Sequence, residues 1–208
     1  MLDLATNPFR EGLADDRVAD PCAFVIFGAT GDLTRRKLIP ALFSLFLEGL
    51  LPSNFSIIGF ARRDWTDDSF RDEMWKRLQE YAKHLTTDEQ AWYTFAQSLY
   101  YSRGTFEDPA GYQGLKERLG ELDKVRETHG NRLFYLSTPP DDYNAIIKNV
   151  GDAGLHSQER GWARIIVEKP IGIDLHSARE LNSQIRGVFP ESSVYRIDHF
   201  LGKETVQN

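Results

Sequence analysis

The chain of 208 residues has little cysteine, no long apolar run and no surplus of basic charge. Its one cysteine, Cys22, excludes an intrachain disulfide and fits a reducing compartment, so we expect a cytoplasmic protein. No apolar run approaches the roughly 18 residues of a membrane span, and residues 1–20 read as a polar arm without a signal-peptide core. The 31 acidic residues exceed the 25 basic ones, which disfavours binding to nucleic acid or to an anionic membrane.

Further absences exclude several kinds of site. No spacing of histidine, cysteine and acidic residues is typical of a metal site, so we expect no metal. Neither a Walker loop nor a Gly-x-Ser-x-Gly nucleophile motif is present. What remains is an ordinary globular composition, with 41% hydrophobic and 27% charged residues.

Strand-like segments recur along residues 21–198. The first, Cys22–Phe27, is a continuous apolar run, the pattern of a strand that is buried on both faces. Cys22 itself is interpreted as a small buried thiol rather than a nucleophile. Five more strands are predicted at Phe55–Ala61, Leu99–Ser102, Arg132–Ser137, Ala163–Val167 and Val194–Ile197.

Helix-like segments separate these strands. The first should run from about Lys37 to Glu48, because Pro40 is tolerated only in the first turn of a helix. Later helices are predicted to start at Thr66, at Asp108–Pro109 and at Asp174. Alternating strands and helices imply right-handed crossovers, so we predict an α/β fold with a doubly wound, mostly parallel sheet.

A glycine-containing turn, Gly28-Ala29-Thr30-Gly31-Asp32-Leu33, joins the first strand to the first helix. Glycines let the backbone approach a pyrophosphate, and the start of a helix supplies N–H donors and positive potential. The position therefore favours dinucleotide binding. An ordinary tight turn is the alternative, because Gly-x-x-Gly alone is a weak motif.

Arg62 and Arg63 follow the second strand, where a fold that binds NAD usually carries an acidic residue. A carboxylate would repel the 2′-phosphate of NADP, whereas arginine can donate two charge-assisted hydrogen bonds to it. The sequence thus favours NADP over NAD. A solvated strand end is the alternative, and one of the two adjacent arginines is expected to be solvated.

Other motifs lie where ligands bind in open α/β sheets, at the ends of strands. Ser137-Thr138-Pro139-Pro140 and Glu168-Lys169-Pro170 end the fourth and fifth strands, and both also fit ordinary turns. The positive charge of Lys37 lies near the start of a helix, where the helix dipole makes it unfavourable. This suggests a functional role for Lys37 rather than simple exposure to solvent. The segment from Arg196 to Glu204 concentrates Asp198, His199 and Lys203, which suggests a catalytic or anion-binding cluster.

Taken together, these motifs closely resemble those of the glucose-6-phosphate dehydrogenase family, in the same order, over about residues 22–208. The resemblance implies a Rossmann-like coenzyme domain, with NADP as the cofactor. It also implies the oxidation of glucose 6-phosphate to its lactone, the first step of the oxidative pentose phosphate pathway. A homo-oligomer is implied for the full-length protein.

The resemblance also assigns roles to single residues. The turn from Gly28 to Leu33 would contact NADP together with Arg62, Tyr143 and Lys169. Lys37 and Lys169 would border the sugar, while His199 and Lys203 would hold its phosphate. Asp198 would orient the catalytic histidine, which accepts the proton of the C1 hydroxyl group. The Lys169–Pro170 peptide bond is often cis in this family.

Two departures from the family pattern stand out. Phe200 occupies a position where the family commonly has tyrosine, so a hydroxyl group expected at the substrate phosphate is lacking. The family's catalytic histidine and its second, α+β domain lie beyond Asn208. We therefore divide the chain into an arm (1–20), a dinucleotide-binding domain (21–198) and the start of a truncated substrate and dimerisation domain (199–208). On this interpretation the chain alone is inactive.

Two alternatives differ in function class. One is a naturally short, non-catalytic regulatory module that binds NADP; whether the reading frame continues past Asn208 separates it from a truncated enzyme. The other is a short-chain sugar reductase, which would require a Tyr-x-x-x-Lys pair. Tyr143 is followed four residues later by Ile147, so it does not supply this pair, whereas Tyr112 and Lys116 have the required spacing.

Overall fold

A computed structural model of the protein describes residues 18–86, 88–172 and 174–198. Most of the predicted arm lies outside these ranges, as do His199, Phe200 and Lys203. Among the described residues, no helix is both long and apolar enough to cross a bilayer.

In these ranges, six parallel strands form one sheet with the order β3-β2-β1-β4-β5-β6. The strands are β1 (Ala23–Phe27), β2 (Ser56–Ala61), β3 (Leu99–Arg103), β4 (Arg132–Leu136), β5 (Ala163–Glu168) and β6 (Val194–Ile197). The order reverses between β1 and β4, as in a doubly wound, Rossmann-like fold. The predicted fold class is confirmed, and the sheet of the described residues is parallel throughout.

Both faces of the sheet are covered by helices. The helices are α1 (Ile39–Leu47), α2 (Asp67–Tyr81), α3 (Glu89–Ala96), α4 (Pro109–Arg126), α5 (Tyr143–Asp152) and α6 (Leu175–Val188). Alternate residues of β1 enter different cores: Val25 and Phe27 pack with residues of α4, α5 and α6, whereas Phe24 and Ile26 pack with residues of α1, α2 and α3. This two-sided burial explains the continuous apolar run of the first strand.

Cys22 lies at the edge of the second of these cores and is 3% exposed, as predicted for a buried thiol. Burial, assisted by the charge of Asp20, raises its pKa to about 12. The thiol group therefore stays protonated at neutral pH, which suits a packing role.

The predicted helix starts are confirmed by their caps. Thr66 accepts a hydrogen bond from the N–H of Ser69, and Asp174 accepts one from that of Ser177, each within a capping box. Asp108 accepts from the N–H of Ala110 at 3.0 Å, with Pro109 as the first helical residue. These caps satisfy N–H groups that a helix start leaves without partners.

The first helix differs from its predicted extent. A π-helical turn, Thr34–Leu38, precedes the regular helix, which begins at Ile39, just before Pro40. Proline has no N–H group, and its ring clashes with the carbonyl four residues earlier in a regular helix. In the wider turn the N–H of Ile39 bonds to the carbonyl of Thr34 instead. Lys37 consequently lies in the π-helical turn rather than in the first turn of α1.

Candidate dinucleotide-binding site

A cleft of about 480 Å³ lies at the carboxyl ends of the central strands, beside the point where the strand order reverses. Residues at the ends of four strands line it: Gly28, Thr30 and Gly31 after β1, residues 61–63 at the end of β2, residues 104–107 after β3, and residues 137–139 with Asp142 after β4. This is where an open α/β sheet binds its ligand.

The glycine turn leaves no room for a side chain. Gly28 has φ +82°, and a Cβ atom there would lie 2.3 Å from the backbone oxygen of Ser137. The turn is tied to its surroundings, since the N–H of Gly28 donates to the Phe60 carbonyl at 3.0 Å and that of Gly31 donates to the Gly28 carbonyl at 2.8 Å. Glycine is therefore needed for the turn to pack against the end of β4, and in this position Gly28, Thr30 and Gly31 line the cleft, where a pyrophosphate would bind.

The other residues of the predicted turn are placed differently. Ala29 is fully buried beneath the turn. Asp32 is exposed and forms an ion pair with Arg36 at 3.1 Å, and Leu33 packs against the core. None of the three is among the residues that line the cleft, so their contact with a cofactor stays a prediction.

Thr34 supports the turn from below and was missed by sequence reasoning. It is fully buried, and its hydroxyl oxygen lies 3.1 Å from that of Ser137 and 3.4 Å from the Gly28 carbonyl. Thr34 therefore joins the turn after β1 to the end of β4. No local pattern reveals a pairing of residues that lie 103 positions apart in the sequence.

The segment after β2 presents Arg62 at the cleft. Its neighbours are engaged: the guanidinium of Arg63 lies over the Trp65 ring at 5.4 Å, and Asp64 pairs with Arg103 at 2.9 Å. Within the described ranges, the exposed side chain of Arg62 makes no hydrogen bond or ion pair. Both arginines line the cleft; because the guanidinium of Arg63 rests on Trp65, Arg62 is the freer of the two to turn toward an anionic ligand.

An acidic wall lies elsewhere in the same cleft. Glu107 and Asp142 both line it. Burial raises the pKa of Asp142, and the negative charges of Glu107 and Asp141 raise it further. The cleft is thus cationic at the end of β2 and anionic at this wall, a contrast that the sequence analysis did not anticipate.

At the end of β5, two tyrosines hold Glu168. The hydroxyl group of Tyr135 donates to the Glu168 carboxylate, and that of Tyr143 donates to the Glu168 carbonyl at 3.3 Å. Burial, followed by the charge of Glu168, raises the pKa of Tyr143 to about 12. Tyr143 is 1% exposed and does not line the cleft, so its contact with a cofactor stays a prediction.

The next residue, Lys169, points its ammonium group at Asp198. The two side chains form an ion pair, and the N–H of Lys169 donates to the Ile197 carbonyl at 3.3 Å. The Lys169–Pro170 peptide bond is cis. The structure therefore brings together two of the predicted site residues, one directly after β5 and one directly after β6.

Lys37 is exposed on the π-helical turn and has no ion pair within the described ranges. Its role toward a substrate stays a prediction, as do those of His199 and Lys203. In the part of the chain that the structure describes, no group of three or more histidine, cysteine or acidic residues could hold a metal ion.

Comparison with known proteins decides the family. Residues 25–208 match the family described as "Glucose-6-phosphate dehydrogenase, NAD binding domain". The chain belongs to this family. The match supports a nicotinamide dinucleotide as the ligand of the cleft.

Curated glucose-6-phosphate dehydrogenases are similar over nearly the whole chain. The chain is 48% identical to glucose-6-phosphate 1-dehydrogenase of Chlamydia pneumoniae, covering 98% of this chain and 41% of that protein. Glucose-6-phosphate 1-dehydrogenase 2 of Mycobacterium tuberculosis is 46% identical, with 97% and 40% covered. The chain thus spans about two fifths of the length of these relatives.

Solved structures of glucose-6-phosphate dehydrogenases share the fold. One, described as "in complex with its substrate glucose-6-phosphate", superposes with a TM-score of 0.81 at 34% identity, covering 92% of this chain and 39% of that one. The Mycobacterium avium glucose-6-phosphate 1-dehydrogenase has a TM-score of 0.74 at 36% identity, with 88% and 37% covered. The Rossmann-like architecture is therefore that of the glucose-6-phosphate dehydrogenase family.

Proposed function

We propose that this chain is the NADP-binding part of an enzyme that oxidises glucose 6-phosphate to 6-phosphogluconolactone. Membership of the family supports the proposed reaction, and the position and lining of the cleft support the proposed cofactor. The single observation that carries the choice of NADP is Arg62, an exposed guanidinium at the end of β2 whose neighbours are already engaged.

The cleft fits a dinucleotide on its own geometry. A Cβ atom at Gly28 would meet the Ser137 backbone, and one at Gly31 would lie 3.0 Å from the Gly28 carbonyl, so both positions favour glycine and the turn packs closely against the end of β4 at the cleft. Gly28, Thr30 and Gly31 would hold the pyrophosphate, and Arg62 would hold the 2′-phosphate. Held by these residues, the cofactor would supply a hydride acceptor for the oxidation at C1 of the sugar.

Arg62→Ala should weaken NADP binding by about 1.5–3 kcal/mol, the usual contribution of hydrogen bonds to a charged group. NAD lacks the 2′-phosphate, so its affinity should hardly change. Titration of the purified chain with each cofactor, followed by protein fluorescence or calorimetry, measures both affinities.

Arg63→Ala is the matched control for this experiment. Because its guanidinium rests on Trp65, its removal should leave the ratio of NADP to NAD affinity unchanged. Equal loss for both cofactors in Arg62→Ala would argue against the 2′-phosphate role.

On the substrate side, we propose that Lys37, Lys169, His199 and Lys203 bind the sugar and its phosphate. Lys169 suits this role, because its side chain is 63% exposed yet its ammonium group is oriented by Asp198. Asp198 would also orient the histidine that takes the proton from the C1 hydroxyl group. That histidine is proposed to lie beyond Asn208.

The chain as printed should therefore bind NADP without reducing it. Mixing it with NADP and glucose 6-phosphate should give no steady increase in absorbance at the NADPH band, because the histidine proposed as the base lies beyond Asn208. Heat protection by NADP in the same sample would establish that the domain is folded and loaded. Sustained NADPH formation by the pure chain would contradict this prediction.

A further inference from the structure

The segment of residues 61–65, here called the Arg62 loop, is held on several sides. Asp64 pairs with Arg103, and the Trp65 ring packs against Tyr101 and Phe70, with centroids 5.8 and 6.4 Å away. The salt bridge is largely exposed and contributes little. The loop therefore depends on contacts from beneath it.

The main contact from beneath is the hydroxyl group of Tyr101. It lies 2.9 Å from the carbonyl oxygen of Ala61 and 2.9 Å from that of Arg63, on either side of Arg62. The single hydroxyl proton is shared between these two acceptors. The Ala61 carbonyl also accepts from the N–H of Gly104 at 3.0 Å, whereas the Arg63 carbonyl has no other donor among the described residues.

Tyr101 is itself held firmly in β3. It is 7% exposed, its N–H donates to the Asp67 carboxylate at 2.7 Å, and that carboxylate pairs with Arg118. Its ring also packs against Phe70, with centroids 5.5 Å apart. Burial raises the pKa of Tyr101 to about 12, so the hydroxyl group remains a neutral donor at physiological pH.

We propose that Tyr101 is a positioning residue that sets the preference of the cleft for NADP over NAD, by fixing the backbone on both sides of Arg62. The proposal rests on the role of Arg62 proposed above. Tyr101 need not touch the cofactor; it acts through the Arg62 loop.

The physical reason is preorganisation. A guanidinium on a loop that is already ordered loses less conformational freedom when it closes on a phosphate. Without the hydroxyl group, the Arg63 carbonyl turns to water and the Arg62 loop has to be ordered at the moment of binding. This cost of ordering the loop arises only for a ligand that binds Arg62. The affinity for NADP is therefore lowered, and the affinity for NAD is not.

The test compares Tyr101→Phe with Tyr112→Phe in titrations with NADP and with NAD. Tyr112 is a matched control, because it is fully buried and its hydroxyl group also donates to a backbone carbonyl at the cleft, that of Phe106 at 2.9 Å. Tyr101→Phe should weaken NADP binding about threefold to tenfold, the range expected for ordering one flexible side chain and its loop. Neither variant should change the affinity for NAD. Tyr112→Phe should also leave the affinity for NADP, and hence the ratio of the two affinities, unchanged.

The double variant Arg62→Ala/Tyr101→Phe separates positioning from a general structural effect. In the Arg62→Ala background, Tyr101→Phe should produce no further change in the affinity ratio, since the group it positions is gone. Circular dichroism gives the folded fraction of each variant, and affinities are referred to that fraction.

Each remaining outcome has a definite meaning. One outcome is that Arg62→Ala changes the ratio of affinities, whereas Tyr101→Phe lowers both affinities equally or lowers neither. The positioning role is then overturned, while the proposed function stands. An additive effect in the double variant also overturns it. If Arg62→Ala itself leaves the ratio unchanged, the 2′-phosphate role fails, and the role of Tyr101 fails with it.

Discussion

Replacing Gly28 with alanine should abolish dinucleotide binding and destabilise the folded chain by roughly 2–4 kcal/mol. Two effects act together. The backbone of Gly28 has φ +82°, which side-chain-bearing residues rarely adopt, and the new Cβ atom would lie 2.3 Å from the Ser137 backbone oxygen. Neither atom of this contact belongs to a flexible side chain, so the turn must move away from the end of β4.

Heating with and without NADP measures both parts of this prediction. A ligand at 100 times its dissociation constant adds about 2.7 kcal/mol to the stability of the folded state. The unmodified chain should therefore show a higher melting temperature with NADP, and Gly28→Ala should show a lower melting temperature that NADP does not change. A rise like that of the unmodified chain would contradict the role assigned to the turn.

Gly114→Ala is a suitable control for the Gly28 experiment. Gly114 lies within α4, and a Cβ atom there meets nothing within 4 Å. Alanine is favoured over glycine inside a helix by about 1 kcal/mol. This variant should thus be slightly more stable than the unmodified chain and should bind NADP normally.

Asp123→Ala should destabilise the fold by about 3–5 kcal/mol, because it removes the carboxylate that pairs with the buried guanidinium of Arg132. The Asp123 carboxylate accepts two hydrogen bonds from the Arg132 guanidinium, one from the Thr128 hydroxyl group and one from the N–H of Gly130 at 3.2 Å. Arg132 is 8% exposed at the start of β4. Without the carboxylate its charge would be left unpaired in the interior.

The Asp123 carboxylate should also make the stability of the fold depend on pH in the acidic range. Burial alone would raise the pKa of Asp123, but the hydrogen bonds and charge of Arg132, with Thr128 and Gly130, outweigh it, so the pKa lies below the ordinary value of 3.8. A lowered pKa stabilises the fold above pH 3.8, and this contribution is lost as the pH falls through the folded-state pKa. Asp123→Ala should lack this loss.

Urea unfolding from neutral to acidic pH checks both statements. Asp152→Ala is the control, since Asp152 pairs with Lys148 on an exposed face of α5 and its removal should change stability by less than about 1 kcal/mol. Equal unfolding free energies for the two variants at neutral pH would contradict the importance of the buried pair.

Much of the fold could be predicted because its determinants are local. Apolar runs of strand length predicted all six described strands, and Thr66 and Asp174 predicted helix starts, since a cap and its partner lie within one turn. Pro40 indicated where the regular helix begins. The π-helical turn before it was missed, although the same proline accounts for it.

The amino-acid sequence by itself determined the glycine turn, the basic residue at the end of β2 and the family, since these reside in short motifs with a defined order. Only the tertiary structure places both Arg62 and Arg63 at the cleft and sets Trp65 beneath Arg63. The pairing of Thr34 with Ser137 and the bonds from Tyr101 to the Arg62 loop also arise only there. Parallel strands carry residues that are distant in sequence to the same edge of the sheet, and their contacts exist only once strand order and register are set.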